Sequence, residues 1–345
     1  MSKPKHILVI RLSAMGDVAM IVPVLRALFL QHPEVKITVV SRPFFQPFFD
    51  GIPNVNFFGV DLNKRHKGFI GLVRLFSDLR KLKIDVVADL HNVLRSKVVR
   101  TLFALSGKKV AATDKGRAEK KALTSLTNKV FSQVKPMIER HVDTFKQLGF
   151  SIDLSNAQFP EKATLSEEIL TITGTKNQNW IGIAPFAQYE SKVYPIDLMQ
   201  KVIDGLAQNK SYKIFLFGGG EKEIQLLNQL QNQHENVVVL AGKTQFKQEL
   251  DVISNLDIML SMDSGNAHIA AMLGVKVITL WGATHPFAGF KPFNQPDDFC
   301  LTSDSAQYPL LPTSIYGNKK VEGYDKVMRT ILPSQVIEKI NSNLT

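Results

Sequence analysis

The sequence predicts an α/β protein built from two consecutive open parallel sheets, and three observations carry that prediction. Short β-branched runs alternate with helix-period segments from the first residues onward. The alternation lapses over residues 151–178, a stretch rich in Ser, Thr and Asn, and then restarts with the same rhythm. A chain of 345 residues also suits two domains of ordinary size. We divide it into an N-terminal domain, 1–165, and a C-terminal domain, 166–345.

The elements follow in order. HILVIR at 6–11 reads as a buried strand, and residues 18–31 as a helix with Ile21, Val24, Leu25, Leu28 and Phe29 on one face. KITVVS, NVNFFGV, DVVADL and KVAAT continue the strands, with helices expected at 69–81, 94–105 and 137–148. After the looser segment, WIGIAP is a strand stopped by Pro185. Strands KIFLFG, NVVVL, DIMLS and KVITLWG then alternate with helices at 196–208, 221–233, 248–255 and 266–273. A last helix, 333–343, could pack on either domain. Open parallel sheets bind ligands beyond the carboxyl ends of their strands, so the loops there are where chemistry is sought.

Composition narrows the class. With 44% hydrophobic and 21% charged residues the chain is an ordinary globular protein, which excludes disordered and collagen-like readings. The formal charge of +11 is unevenly spread: residues 1–150 carry +15 and residues 151–345 carry −4. A basic half implies an anionic partner, whether nucleic acid, a phosphorylated substrate or a membrane surface. The single cysteine, Cys300, excludes an internal disulfide and a multi-cysteine metal site, and fits a reducing compartment. The first apolar run, residues 7–10, is too short for a signal-peptide core, and no stretch is long enough to span a membrane. A cytoplasmic protein, at most attached to a surface, is expected.

Four strand-end loops carry candidate chemistry. In RLSAMGDV, Ser13 and Gly16 suit a tight turn, and Asp17 at the helix start either caps free N–H groups or projects into the binding region. In APFAQYESKVYP, Lys192 is either a solvated surface lysine or, at a strand's carboxyl end, a compact cation for a phosphate. FGGGEKE offers close backbone approach to a ligand, with Glu221 or Glu223 as an acceptor for ribose hydroxyls. The strongest is SMDSGNAHIAAMLG. Here Asp263, Ser264 and Gly265 sit where a strand hands over to a helix, so backbone N–H groups, the helix dipole and the Ser264 hydroxyl can converge on an anion. His268, one turn in, is either structural or a further donor. Trp281, Phe287 and their neighbours around His285 read mainly as packing, with base stacking as the other use.

Several motifs do not occur. There is no GxxxxGK[ST] loop, so a P-loop nucleotidase is out, and strand one ends in RLSAMGD rather than GxGxxG. No DxD triplet or His/Cys cluster stands in the loops, so no metal ligands are proposed and positive groups are expected to meet the phosphates.

Taken together these loops resemble glycosyltransferase family 9, the ADP-heptose:lipopolysaccharide heptosyltransferases. RLSAMGDVAMIVPVLRAL resembles the family's opening Arg-x-Ser-x-x-Gly-Asp-Val segment, DLHNVLRSKVV its Asp-Leu…Arg-Ser segment, and MDSGNAHIAAMLG its Asp-Ser/Thr-Gly-x-x-His-x-x-Ala segment. The resemblance implies the GT-B fold, two Rossmann-like parallel-sheet domains facing across a cleft, with acceptor on the first and nucleotide donor on the second. It implies an inverting, metal-independent transferase moving a heptose from ADP-heptose to the lipopolysaccharide inner core, with no cofactor beyond that donor. Asp17 becomes the general base and Lys192 a donor-phosphate or transition-state contact. Ser13, Gly16, Ala184, Glu221, Asp263, Ser264, Gly265 and His268 become donor-site residues. Three departures stand out: APFA at 184–187 in place of Pro-Gly-Ala, Tyr194 in place of Trp, and Met20 and Ile21 in place of small hydroxylated residues. The last pair adjoins Asp17 and bears on sugar or acceptor identity.

The basic half then acquires a partner. His91, Asn92, Arg95, Lys97, Arg117 and Lys120 are candidates to meet an anionic glycolipid acceptor, with possible peripheral contact at the cytoplasmic face of the inner membrane. A monomer is assumed. A transferase of the same fold using another nucleotide sugar or acceptor is the alternative. A non-enzymatic basic nucleic-acid-binding protein comes third, because the aromatics of the basic half cluster in PFFQPFF and NVNFFGV rather than interleaving with Lys and Arg.

Overall fold

Five parallel strands in the order β3-β2-β1-β4-β5 and six in the order β11-β10-β9-β6-β7-β8 form the two sheets of the computed structural model, which describes residues 4–344. The first sheet belongs to unit 1, Met1–Lys115 with Lys135–Phe159; the second to unit 2, Gly116–Val134 with Pro160–Thr345. Both orders are those of a Rossmann unit, as the GT-B architecture requires.

In unit 1, β1 (His6–Ile10) is buried along its whole length because it lies mid-sheet with helices on both faces. The expected single helix at 18–31 is two, α1 (Met15–Ala19) and α2 (Ile21–Gln31). Pro23 lacks an N–H and its ring crowds the carbonyl four residues back, at Ala19, where α1 ends. β2 (Lys36–Ser41), β3 (Val55–Gly59), α3 (Gly68–Arg80), β4 (Val86–Asp89), α4 (Leu94–Leu105) and β5 (Lys109–Ala112) follow the sequence pattern closely. Leu72, Leu75 and Leu79 of α3 pack with Val99 and Phe103 of α4 over Leu8, Ile10 and Val87 of the sheet. Burying a ring such as that of Phe103 contributes about 2–3 kcal/mol.

The chain then makes an excursion into unit 2. Arg117–Leu123, a run of strong helix formers, make α5 there. α6 (Met137–Leu148) returns to unit 1 against β5. The looser segment at 151–178 also holds a helix, α7 (Glu167–Thr173), started by the Ser166 hydroxyl accepting from the Ile169 N–H and followed by Gly174.

Unit 2 continues with β6 (Asn179–Ala184), α8 (Ile196–Ala207), β7 (Tyr212–Leu216), α9 (Glu221–Gln231), β8 (Val237–Val239), α10 (Phe246–Ser254), β9 (Ile258–Met262), α11 (Gly265–Met272) and β10 (Lys276–Trp281). An edge strand absent from the sequence reading, β11 (Cys300–Thr302), pairs with β10. The last helix, α12 (Pro333–Asn341), packs on α8, with Val336 and Ile340 in the core of unit 2. No described helix is long and apolar enough to cross a membrane.

Candidate active site

In unit 1 the strand order reverses between β1 and β4, and the residues at their carboxyl ends form one hydrogen-bonded constellation. Arg11, only 4% exposed, donates from Nη1 to the Leu90 carbonyl at 2.6 Å and pairs through Nη2 with the Asp17 carboxylate. Asp17 is the third residue of α1, and the same oxygen accepts the Ala14 N–H at 3.3 Å. The carboxylate thus closes the helix start and yet keeps 29% of its side chain exposed. Gly16 is buried inside α1, and Ser13 lies in the irregular connection between β1 and α1.

The β4 loop is tied from below. Buried Asp89 accepts the backbone N–H groups of His91 and Asn92 through one oxygen, at 3.1 and 2.8 Å, and pairs with Arg100 through the other at 3.0 Å. Asn92, in the left-handed region at φ 47°, donates to the Thr113 carbonyl at 2.9 Å. His91 Nδ1 accepts the Leu12 N–H, so the ring is neutral; burial, reinforced by Arg11, lowers its pKa to about 3. Arg95 and Lys97 are exposed on the first turn of α4.

Unit 2 repeats the plan between β6 and β9. The Lys192 ammonium lies 3.0 Å from Asp263 Oδ2, with side-chain exposures of 12% and 8%, and the Thr284 hydroxyl donates to the same oxygen at 2.8 Å. Asp263 is therefore a positioning carboxylate that already holds a cation and a hydroxyl. The loop carrying Lys192 is clamped: Ser191 donates its hydroxyl to the Gly317 carbonyl at 2.7 Å, and its own carbonyl accepts the Ala283 N–H at 3.1 Å. A Cβ on Gly317 would stand 2.6 Å from Lys192 Cδ, so only glycine lets this strap lie against the lysine stem. Tyr194 is fully buried and its hydroxyl donates to the Ile331 carbonyl at 2.7 Å, a bond that an indole could not make in the same place.

Ser264 stands at the start of α11, and its hydroxyl meets Ser261 Oγ at 3.1 Å rather than capping the helix, while Gly265 opens the first turn. His268 is buried one turn on. Ala184 ends β6 and is buried beside β9. At the β7 loop Glu223 turns back to accept the Gly219 N–H at 2.8 Å, whereas Glu221, the first residue of α9, is exposed. His285 accepts the Phe287 N–H at Nδ1 and packs edge-on against Phe131; burial lowers its pKa to about 4.

The structure separates the basic candidates. Arg117 is exposed, but Lys120 is 5% exposed with its ammonium 4.1 Å from the centre of the Phe290 ring. Both lie in unit 2, not with His91, Asn92, Arg95 and Lys97. Lys129 is half-buried, donating to the carbonyls of Leu123, Leu310 and Pro312 at 3.2, 2.8 and 2.8 Å. Arg11, Asp89, Arg100 and Thr284 join these sites without having stood out in the sequence. Of these Arg11 was the most legible, a cation closing an apolar strand directly before the Ser13 connection.

Relatives share this arrangement of elements. The sequence model of glycosyltransferase family 9 (heptosyltransferase) matches residues 72–312. The lipopolysaccharide core heptosyltransferase OpsX of Haemophilus influenzae is 24% identical over 301 residues, 86% of this chain and 84% of its own. Lipooligosaccharide heptosyltransferase 2 of Haemophilus ducreyi is 26% identical over 362 aligned positions, covering 98% and 99%. Among solved structures, a family 9 glycosyl transferase from Veillonella parvula superimposes with a TM-score of 0.76 at 22% identity, covering 99% of this chain and 97% of that one. The Escherichia coli heptosyltransferase WaaC with ADP gives 0.67 at 19%, covering 98% and 99%. With the family pattern running through most of the chain and both Rossmann units in order, this protein belongs to glycosyltransferase family 9 and is a glycosyltransferase.

Proposed function

We propose that the chain transfers a heptose from ADP-heptose to a hydroxyl of the lipopolysaccharide inner core, with inversion and without a metal. The observation that carries this reading is that each unit has built chemistry at its reversal point: a partly exposed Asp17 in unit 1, and a Lys192–Asp263 ion pair beside the start of α11 in unit 2. Support for the substrates comes from the relatives, several of which are named lipopolysaccharide or lipooligosaccharide heptosyltransferases. One solved neighbour of the same fold holds an ADP-heptose analogue.

In this mechanism the acceptor hydroxyl loses its proton to Asp17 as its oxygen attacks the anomeric carbon, while the bond from that carbon to the diphosphate oxygen breaks on the opposite face. Arg11 and the Ala14 N–H aim the carboxylate. Negative charge gathers on the leaving ADP. Lys192 has three N–H donors, of which Asp263 takes one, so the others are available to diphosphate oxygens together with Ser264 and the first N–H groups of α11. Asp263 and Thr284 fix where that ammonium points. The cationic groups Arg95 and Lys97 would meet the phosphorylated acceptor on the unit 1 side.

Screening sugar nucleotides for transfer, with chelator present throughout, tests donor and metal independence together. ADP-heptose should be consumed with EDTA present, and ADP should raise the melting temperature more than UDP or GDP. Asp17→Ala should lower turnover by about 10²–10⁴-fold while ADP still binds. Near-normal turnover in that variant, or loss of transfer on chelation, overturns the reading.

A further inference from the structure

The first turns of α3 and α4 carry large apolar side chains that the fold leaves outside. Phe69 and Ile70 are each 69% exposed and Leu94 is 79% exposed, while Val73 follows on the same face of α3. The inward face of α3, Leu72, Leu75 and Leu79, is committed to the core, so these residues are not spare core positions. Both helices follow parallel strands of one sheet and pack against each other, so they run side by side and present their N-terminal turns at the same end of unit 1. That is the end at which Asp17 and His91 stand.

Cations surround the apolar tip. Lys64 and Lys67 precede α3 and Arg74 lies one turn after Ile70, all exposed. The loop bearing the lysines is pressed onto the helix, since a Cβ on Gly71 would fall 2.3 Å from the His66 carbonyl carbon. The only acids in 61–81 are occupied: Asp61 accepts the Asn63 and Lys64 N–H groups, and Asp78 takes Arg65 through both oxygens. Farther along α3 the outward residues turn polar, at Ser77 and Arg80, so the apolar character is confined to the tip.

We propose that the N-terminal tips of α3 and α4 dock unit 1 onto an anionic lipid bilayer, with Phe69, Ile70 and Leu94 entering the interface and Lys64, Lys67 and Arg74 meeting lipid phosphates. An apolar tip ringed by exposed cations matches the two layers of such a surface, acyl boundary below and anionic headgroups above. Its purpose rests on the lipid-borne acceptor proposed above, because docking there holds the rim of the Asp17 site at the membrane. Vesicle binding itself does not depend on transfer.

The test is cosedimentation of the full chain with phosphatidylglycerol-rich vesicles and with phosphatidylcholine vesicles, neither containing glycolipid. The wild type should partition at least about tenfold better to the anionic vesicles. Phe69→Ser with Ile70→Ser should reduce that partitioning by about tenfold or more, and Lys67→Ala with Arg74→Ala by about tenfold. Both variants should melt as the wild type and turn over a deacylated, water-soluble acceptor at the wild-type rate. Trp180 and Trp281 are buried, so Phe69→Trp supplies a surface reporter whose emission should shift to the blue on anionic vesicles. Equal binding to both vesicle types, wild-type binding by the Phe69/Ile70 variant, or an unshifted emission from the Phe69→Trp variant each overturns the proposal. Vesicle binding without turnover of any acceptor by the wild type would instead sink the proposed reaction and leave the docking surface standing.

Discussion

The two units share a strand order and a place for their polar residues, but they handle charge in opposite ways. Unit 1 holds 22 Lys and Arg against 11 Asp and Glu, and unit 2 holds 20 against 20, so the whole net charge of +11 resides in unit 1. The cations of unit 2 that matter are wholly or partly buried and engaged at fixed positions: Lys192 by Asp263, Lys129 by three carbonyls, Lys120 by a ring face. Those of unit 1 at Lys64, Lys67, Arg74, Arg95 and Lys97 face outward. A few donors at fixed positions suit a small anion of constant shape. A diffuse excess of positive charge suits a large anionic surface, and acts over roughly a Debye length of about 8–10 Å.

This contrast can be broken at its tightest point first. Lys192→Met leaves Asp263 buried with only the Thr284 hydroxyl, and should destabilise unit 2 by about 3–5 kcal/mol in urea unfolding. Lys192→Met with Asp263→Asn should recover most of that stability and none of the turnover, which separates folding from chemistry. Next comes Glu249 on α10, whose carboxyl burial pushes up to about 7 from an ordinary 4.5. Its protonated form is the one the fold prefers, so its contribution is full below pH 4.5 and drains away as pH rises through 7. Glu249→Gln should therefore stabilise by about 2–3 kcal/mol at pH 8 and by much less at pH 5.

In unit 1 the sign is reversed. His91 falls from 6.5 to about 3, so its contribution is full above pH 6.5 and is lost as the pH drops toward 3. Between pH 7 and pH 5 the wild type should lose about 2 kcal/mol more than His91→Gln, whose amide oxygen can still accept the Leu12 N–H. The smallest effect is expected at Lys120. Lys120→Met keeps the stem against Phe290 and removes the cation, and should cost about 1 kcal/mol in thermal unfolding while leaving salt-dependent acceptor binding unchanged. A loss of acceptor affinity there would return Lys120 to the binding surface.

Much of this was legible in the chain. Periodicity marks ten of the eleven strands because central parallel strands are buried on both faces and read as continuous apolar runs; β11 is missed because three residues at a sheet edge carry no period. The helices α5 and α7 are hidden by composition, since Arg-Ala-Glu-Lys-Lys and Ser-Glu-Glu look like solvated loop until the helix propensity of the first and the Ser166 cap of the second are weighed. Asp17 and Lys192 stand at the strand ends where the loops suggested them. Their partners Arg11 and Thr284 were not legible as such, because an ion pair or hydroxyl contact between segments is set by packing rather than by spacing. The charge asymmetry pointed to the right unit, yet a cut near residue 150 credits it with Lys120 and Lys129, which the excursion 116–134 carries into unit 2.

That excursion also sets an order of assembly. Partners of residues 120–134 include the Phe290 ring, His285, the Phe287 carbonyl and the carbonyls of Leu310 and Pro312. Unit 1 has all its chain once residue 159 leaves the ribosome, but α5 waits until residue 312 is made. At roughly 5–20 residues per second that is a delay on the order of 8–30 s, during which Leu123 and Val134 have no core to join. A fragment beginning at 166 would lack them permanently, so the two Rossmann units cannot be parted by one cut of the gene.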